Sequence, residues 1–311
     1  MNQEISGGSA IFENVINVNG VNIAYQLHGN SSQPTLLLIH GLSTPLTGWP
    51  KAMVDAFVAA NFQVLLLDNR DVGRSEKLEH FPIPNMGWVI TKLKLGFSIK
   101  TPYQLEDMMQ DVIGLLDALN LAEVHVVGAS MGGMIAQLMA INHPQRVKTL
   151  TSIMSTTGYK KLPGIDKKIR ETLMQKPVSK DYKDQMDYHI KKWQVIGSPD
   201  YPSSETHLQH YVESMLQRGI TTKGTIRQML SIMAAGNREN ALSKLDIPSL
   251  VIHGDQDGLV NLAGGKATAQ AIPKAKLKVY PGMGHDFPAE LIPSIVNDIV
   301  AHVNTNLGDR I

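Results

Sequence analysis

One serine of this chain stands in a setting that can make its hydroxyl a nucleophile. Ser130 lies in Gly128-Ala-Ser-Met-Gly132, between a predicted strand and a predicted helix. Such a turn is so sharp that the residues two before and two after the serine must be small, which Gly128 and Gly132 satisfy. The helix N-terminus would stabilise an oxyanion, with the Met131 amide as first donor. We expect nucleophilic catalysis by Ser130; a glycine-rich turn that only packs or binds phosphate is the alternative.

A serine hydroxyl needs a neighbouring imidazole to take its proton. Of the 11 histidines, His285 is the best candidate, because it ends the glycine-rich loop Pro281-Gly-Met-Gly-His285 after the last predicted strand. A histidine in an ordinary surface loop would leave the two glycines around Met283 without a purpose. We therefore expect His285 to be the general base.

The imidazole in turn needs a carboxylate that fixes its tautomer. Asp255 and Asp257 both follow the strand predicted at 249–252. We choose Asp257, because a few residues past the strand are needed before a side chain can point back to the histidine. Asp255 is the second choice, with hydrogen bonding to the amides of its own turn as its other role. Asp286 is interpreted as a loop-stabilising residue.

The same loops could be imagined as a metal site made of His253, Asp255, Asp257 and His285. Their spacing does not match a helical pair of histidine ligands, and the serine turn already accounts for two of the loops. We therefore predict no metal at these loops.

A second oxyanion donor is expected from the loop after the strand predicted at 35–39. His40-Gly41-Leu42 occupies this place. Gly41 allows the backbone to turn its amides inward, so the Leu42 amide is assigned as the second donor. His40 is interpreted as a structural residue that packs under the loop.

The elements that must position these loops alternate between strand and helix. Apolar runs predict strands at 15–18, 21–27, 35–39, 64–67, 124–127, 147–153, 249–252 and 277–280. Helical periodicity marks 51–60, 105–119, 131–142 and 289–304. Residues 155–235 are helical and lysine-rich, without a convincing strand. This predicts a doubly wound sheet with a helical insertion over the carboxyl ends of its strands, where such sheets place ligands.

Composition narrows the class of protein. The chain has 311 residues, 43% hydrophobic and 18% charged, with a net charge of +1 and no cysteine. The near-neutral net charge disfavours nucleic-acid binding. The absence of cysteine excludes a disulfide framework and a cysteine nucleophile. The first ten residues lack a secretory pattern, and no apolar run of about 18 residues exists to span a bilayer. We expect a cytoplasmic protein without stable membrane insertion; the oligomeric state is left open.

Several motifs together resemble the capped α/β-hydrolase superfamily over nearly the whole chain. They are His40-Gly41, the block Asp68-Asn-Arg-Asp-Val-Gly-Arg-Ser75, the Ser130 turn, Gly254-Asp-Gln-Asp257 and Gly282-Met-Gly-His285. The block, the Ser130 region and the stretch TSIMSTTG look most like the aclacinomycin methylesterase-like esterases. The resemblance departs in the insertion and in the segment 81–103.

This resemblance implies an α/β-hydrolase fold: a mostly parallel eight-stranded sheet flanked by helices, with a core of 1–154 and 236–311 and a helical cap of 155–235. It implies a Ser130, Asp257, His285 triad that cleaves a small-molecule carboxylic ester through an acyl-enzyme, without cofactor. It also suggests that Asp68, Arg70, Asp71 and Ser75 hold a turn by side-chain hydrogen bonds. Amide, lactone or C–C bond hydrolysis, and a ligand receptor with slow hydrolysis, are the alternatives.

Two basic regions bear on the substrate. Residues 159–193 carry ten Lys or Arg and five Asp or Glu, which is typical of a solvated helix face or of a surface that attracts anionic substrates. Residues 88–97 mix apolar and basic side chains. We interpret that stretch as a wall of the acyl site, with an interfacial lid as the alternative.

Overall fold

A single mixed sheet organises the protein. The computed structural model describes residues 3–4 and 11–307. The expectation of a cytoplasmic protein rests in part on the first ten residues, most of which lie outside the described residues. The described strands are β1 Gln3–Glu4, β2 Ile11–Val18, β3 Val21–His28, β4 Thr35–Ile39, β5 Gln63–Leu67, β6 Val124–Ala129, β7 Val147–Ile153, β8 Ser249–Gly254 and β9 Lys276–Tyr280.

The strand order across this sheet is β1-β2-β3-β5-β4-β6-β7-β8-β9. The pairs β1·β2, β2·β3 and β3·β5 are antiparallel, and every later pair is parallel. Asn19 and Gly20 join β2 to β3 with φ of 53° and 80°, the positive values that a tight hairpin turn requires. The mostly parallel eight-stranded sheet is confirmed, and the two-residue β1 extends it at one edge.

Helices cover both faces of the sheet. They are α1 Lys51–Ala59, α2 Met86–Lys94, α3 Leu105–Ala118, α4 Met131–Asn142, α5 Lys167–Leu173, α6 Tyr182–Ile196, α7 Glu205–Arg218, α8 Thr222–Ala234, α9 Glu239–Leu242, α10 Leu262–Ala271 and α11 Ile292–Thr305. The last helix begins three residues later than predicted, with Pro293 in its first turn, where a missing amide proton costs no helical hydrogen bond.

The core consists of two apolar layers, one on each side of the sheet. Leu37 and Ile39 face α3 and α4, whereas Leu36 and Leu38 face α1 and α11. Successive side chains of a strand point to opposite faces, so a strand covered on both sides must be apolar at every position. This explains the uninterrupted apolar runs at 36–39 in β4 and 64–67 in β5.

The chain between β7 and β8 is helical, as expected, and contains α5 to α8 within 155–235. The division into a core and a cap stays a prediction. Before α3, the segment 81–103 contains the short helix α2. No helix in the part of the chain that the structure describes is long and apolar enough to cross a bilayer.

Candidate active site

Ser130 occupies a strained turn between β6 and α4. Its φ and ψ are 55° and −119°, a conformation that non-glycine residues rarely adopt. A Cβ on Gly128 would lie 2.2 Å from the Gly132 carbonyl oxygen, and a Cβ on Gly132 would lie 2.0 Å from that of Ile39. Both positions therefore require glycine, for the steric reason inferred from the sequence.

The structure brings Ser130, His285 and Asp257 into one hydrogen-bonded chain. Nε2 of His285 lies 3.0 Å from Ser130 Oγ, and Nδ1 lies 2.7 Å from Asp257 Oδ2. A carboxylate can only accept, so the proton on the ring belongs to Nδ1. This tautomer leaves Nε2 free to accept the serine proton.

Asp257 is buried and ionised. Burial by itself would raise the pKa of this carboxyl, but the adjacent His285 and His253 bring it well below its usual range. Its second oxygen, Oδ1, accepts from the amides of Leu259 at 3.0 Å and Val260 at 2.8 Å. The loop thus holds the carboxylate in place through its own backbone.

The other two aspartates near His285 hold the loops. Asp255 accepts from the Gly282 amide at 2.7 Å, and Asp286 accepts from the Ser198 hydroxyl. Burial raises the pKa of Asp286. The backbone amide of His285 donates to the carbonyl of Ile196, the last residue of α6, at 2.8 Å. The end of α6 therefore fixes the histidine loop.

His253 packs beside the same carboxylate. Its Nε2 lies 2.7 Å from the carbonyl oxygen of Val260 and 3.4 Å from Asp257 Oδ2. Within residues 3–4 and 11–307, no three His, Asp or Glu side chains are arranged to hold a metal ion.

The two expected oxyanion donors flank the serine. Met131 is the first residue of α4. Leu42 follows Gly41, and a Cβ added to Gly41 would lie only 2.9 Å from the Ser130 Cβ. Among the described residues, neither the Leu42 nor the Met131 amide donates to a protein group. Both amides are therefore free to donate to an oxygen beside Ser130.

His40 lies under this loop as expected. Its Nδ1 accepts from the Gly41 amide at 2.7 Å, and its ring packs edge-on against Trp49 at 5.0 Å between centroids. Burial lowers the pKa of His40 to about 3, so the ring is neutral and serves as a structural support.

The Leu42 loop is held from α8 by contacts that the sequence did not reveal. Ser43, with φ of 58°, donates its amide to Gln228 Oε1 at 2.7 Å, and Gln228 Nε2 donates to the Arg70 carbonyl at 2.7 Å. The hydroxyls of Ser43 and Thr225 lie 2.6 Å apart. No local motif marks Gln228, which is 185 residues from its partner.

The block 68–75 forms a hydrogen-bonded turn beside this loop, as the resemblance implied. Asp68 accepts from the amides of Leu46 at 2.7 Å and Arg74 at 2.8 Å. Arg70 pairs with Asp111 at 2.6 Å, and Ser75 donates to the Asp68 carbonyl at 2.6 Å.

The helical insertion supplies cationic partners for the two acidic side chains of this block. Arg218, at the end of α7, lies 2.9 Å from Asp68, and Arg227 of α8 lies 2.6 Å from Asp71. Sequence reasoning missed both arginines. The signal was indirect: buried carboxylates need paired charges, and these partners had to come from elsewhere in the chain.

The sequence is similar to known proteins over most of its length. The sequence pattern of the α/β hydrolase fold matches residues 34–290. Rhodomycin D methylesterase from Streptomyces peucetius is 24% identical over 294 residues, covering 88% of this chain and 92% of that protein. A 2-hydroxy-6-oxononadienedioate/2-hydroxy-6-oxononatrienedioate hydrolase from Cupriavidus pinatubonensis is 25% identical over 275 residues, covering 84% of each chain.

Among solved structures, a meta-cleavage product hydrolase from Pseudomonas fluorescens IP01 superposes with a TM-score of 0.73 and 18% identity, covering 94% of this chain and 97% of that one. At this identity, the likeness concerns the fold alone. The similarity to the rhodomycin D methylesterase confirms the resemblance to methylesterase-like esterases that the motifs predicted. The matched pattern runs from the residue before β4 to beyond His285, and the chain belongs to the α/β hydrolase fold family.

Proposed function

We propose that this protein is a serine hydrolase that cleaves carboxylic esters through an acyl-enzyme intermediate. One observation carries the proposal: the His285 ring lies 3.0 Å from the Ser130 hydroxyl and 2.7 Å from Asp257. The similarity to rhodomycin D methylesterase supports an ester as the substrate.

In the proposed mechanism, Ser130 Oγ attacks the ester carbonyl carbon while its proton passes to His285 Nε2. The carbonyl oxygen becomes an oxyanion that accepts hydrogen bonds from the Leu42 and Met131 amides. When the tetrahedral intermediate collapses, the alcohol leaves with the proton from His285. Water then gives a proton to the same nitrogen and attacks the acyl carbon. As the bond from the acyl carbon to Ser130 Oγ breaks, His285 returns the proton to Oγ, which releases the acid and restores Ser130.

We further propose that residues 155–235 form a cap on a core of 1–154 and 236–311. Two contacts support this role. The end of α6 binds the backbone of His285, and Gln228 of α8 binds the loop that presents Leu42. The cap would therefore hold the catalytic loops as well as cover the substrate.

Hydrolysis of a C–C bond beside a ketone is the second candidate. Its support is the similarity to the 2-hydroxy-6-oxononadienedioate hydrolases at 25% identity. The same serine and histidine would serve either bond, so the geometry of the triad does not separate the two reactions.

The nucleophile is tested by Ser130→Ala. Without the hydroxyl no acyl-enzyme forms, so kcat on a p-nitrophenyl ester should fall by about 10⁴-fold or more. A fluorophosphonate probe should label the wild type and leave the variant unlabelled. Ser152→Ala removes another buried serine, on β7, and should keep both activity and labelling. Full activity of Ser130→Ala would overturn the assignment.

The bond is tested with a substrate panel. It contains p-nitrophenyl and methyl esters of graded acyl length, an aminoacyl amide, a lactone and a 2-hydroxy-6-oxo-dienoate. Multiple turnovers on esters, with little on the other compounds, support the esterase. Preferred turnover of the oxo-dienoate would favour the C–C hydrolase, and a single slow burst on every compound would indicate a receptor.

A further inference from the structure

The segment 80–105 departs in charge from the rest of this nearly neutral chain. It contains Lys92, Lys94 and Lys100 and no acidic residue. Among the ion pairs formed by the described residues, none involves these three lysines. Their charges are therefore available to an anion outside the protein.

The same segment exposes large apolar side chains around α2. Val89 anchors the helix and is 5% exposed, whereas Trp88, Leu95 and Phe97 are 61%, 66% and 62% exposed. Trp88 lies in the first turn of α2, and Leu95 and Phe97 lie within three residues of its end. We call these three side chains, together with Lys92, Lys94 and Lys100, the α2 surface.

Cationic and apolar groups are interleaved on this surface. The Nζ of Lys92 lies 5.8 Å from the centre of the Trp88 ring. A large aromatic ring beside a lysine is the combination that favours the interface between lipid headgroups and acyl chains. Single exposed apolar side chains are common on monomeric proteins, but several large ones close together mark an interaction site.

We propose that the α2 surface docks on an anionic phospholipid membrane. Trp88, Leu95 and Phe97 enter the boundary between headgroups and acyl chains, while the lysines contact the headgroup phosphates. Charge selects this occupant over a second copy of the chain: pairing two α2 surfaces would bring six lysines together with no carboxylate from either segment. The inference concerns attachment to the bilayer surface and is independent of the proposed catalysis.

The test is sedimentation of the full chain with vesicles of phosphatidylcholine alone or mixed with phosphatidylserine. Three lysines near an anionic surface should strengthen binding by about 100-fold over the neutral vesicles, and added salt should reverse this gain. Trp88 fluorescence should shift to the blue on binding, and the shift should be absent in Trp88→Phe.

Two variants separate the contributions. Replacing Trp88, Leu95 and Phe97 by Ser should abolish the binding, and replacing the three lysines by Gln should remove the preference for phosphatidylserine. Val178→Ser is the matched control, because Val178 is 94% exposed but lies in the insertion. The circular dichroism spectrum of each variant verifies folding, and the lysine variant keeps the test decisive if the apolar one fails to fold.

Three results would overturn the proposal. The first is equal sedimentation with both vesicle types, and the second is unchanged binding after the three lysines are replaced by Gln. The third is a dimer of the wild type that replacement of the three apolar residues by Ser dissociates, with no vesicle binding. Ser130→Ala should bind vesicles as the wild type does, so a failure of the proposed hydrolysis is distinguishable from a failure of this inference.

Discussion

Asp257 and Asp255 are two residues apart in the same loop, yet they serve different groups. β8 ends at Gly254, so Asp255 is the first residue past the strand, and its side chain accepts from the Gly282 amide. Asp257 lies two residues further on, after the turn, and its Oδ2 contacts the His285 ring. The distance from the strand end decides which carboxylate contacts the His285 ring.

We predict that Asp257→Asn lowers kcat by about 10⁴-fold with little change in fold. The amide nitrogen would face Nδ1 of His285 and favour the tautomer that carries its proton on Nε2, which cannot accept from Ser130. The measurement is steady-state hydrolysis of a p-nitrophenyl ester together with a thermal melt.

Asp255→Asn is the matched control for this change. An Asn oxygen can still accept from the Gly282 amide, so its kcat should remain close to that of the wild type. Equal losses in the two variants would contradict the assignment of Asp257.

Helix α8 connects the helical insertion to the loop that presents the Leu42 amide. Gln228 is completely buried and joins the Ser43 amide to the Arg70 carbonyl. An amide side chain suits this place because it accepts on one side and donates on the other. The conformation of the loop that contains Leu42 therefore depends on a helix that lies far along the chain.

We predict that Gln228→Met lowers kcat by about 10- to 100-fold while KM changes little. Methionine has a similar length but makes neither hydrogen bond, so the Ser43 backbone and the preceding Leu42 amide lose their support, and one oxyanion donor typically contributes this much or more. Kinetics on a soluble ester, with a melt as a folding check, measure the effect.

Gln209→Met makes the same chemical change on an exposed face of α7, where Gln209 Nε2 donates to Glu205 Oε1 at 3.4 Å. Its kcat and KM should match those of the wild type. A loss confined to KM in Gln228→Met, or a kcat equal to that of the control, would show that Gln228 does not position the loop.

Several neutral histidines are buried in the interior of the molecule. Burial lowers the pKa of His125 and His302 to about 4 and that of His40 to about 3, from an ordinary value of 6.5. The unfolded chain therefore binds protons at these rings in a range where the folded protein does not. Lowering the pH therefore shifts the folding equilibrium towards the unfolded state.

We predict that the free energy of unfolding is highest above pH 6.5 and falls steadily as the pH drops from 6.5 to about 4. A lowered histidine pKa stabilises the neutral folded form, and this stabilisation is lost as the unfolded chain takes up protons. Urea unfolding across this pH range measures it. His302→Gln removes one titrating ring and should reduce the slope; a flat profile in the wild type would refute the explanation.

From the sequence, the Ser130 turn, the His285 loop and the eight main strands were predictable because they rest on local constraints. A strand that is apolar at every position must be covered on both faces, and glycines on both sides of a serine mark a turn with no room for a Cβ. These signals lie within a few residues, so one chain is enough to read them.

Only the tertiary structure decided which distant residues complete the site. Arg218, Arg227 and Gln228 reach their partners across 150 to 185 residues, and no local pattern specifies such pairs. The exposure of the α2 surface is likewise a property of the packed molecule, because the same apolar residues could equally have been covered by another helix. Contacts between elements depend on how the faces of helices and strands pack against one another. The residue pattern within one element does not specify that packing.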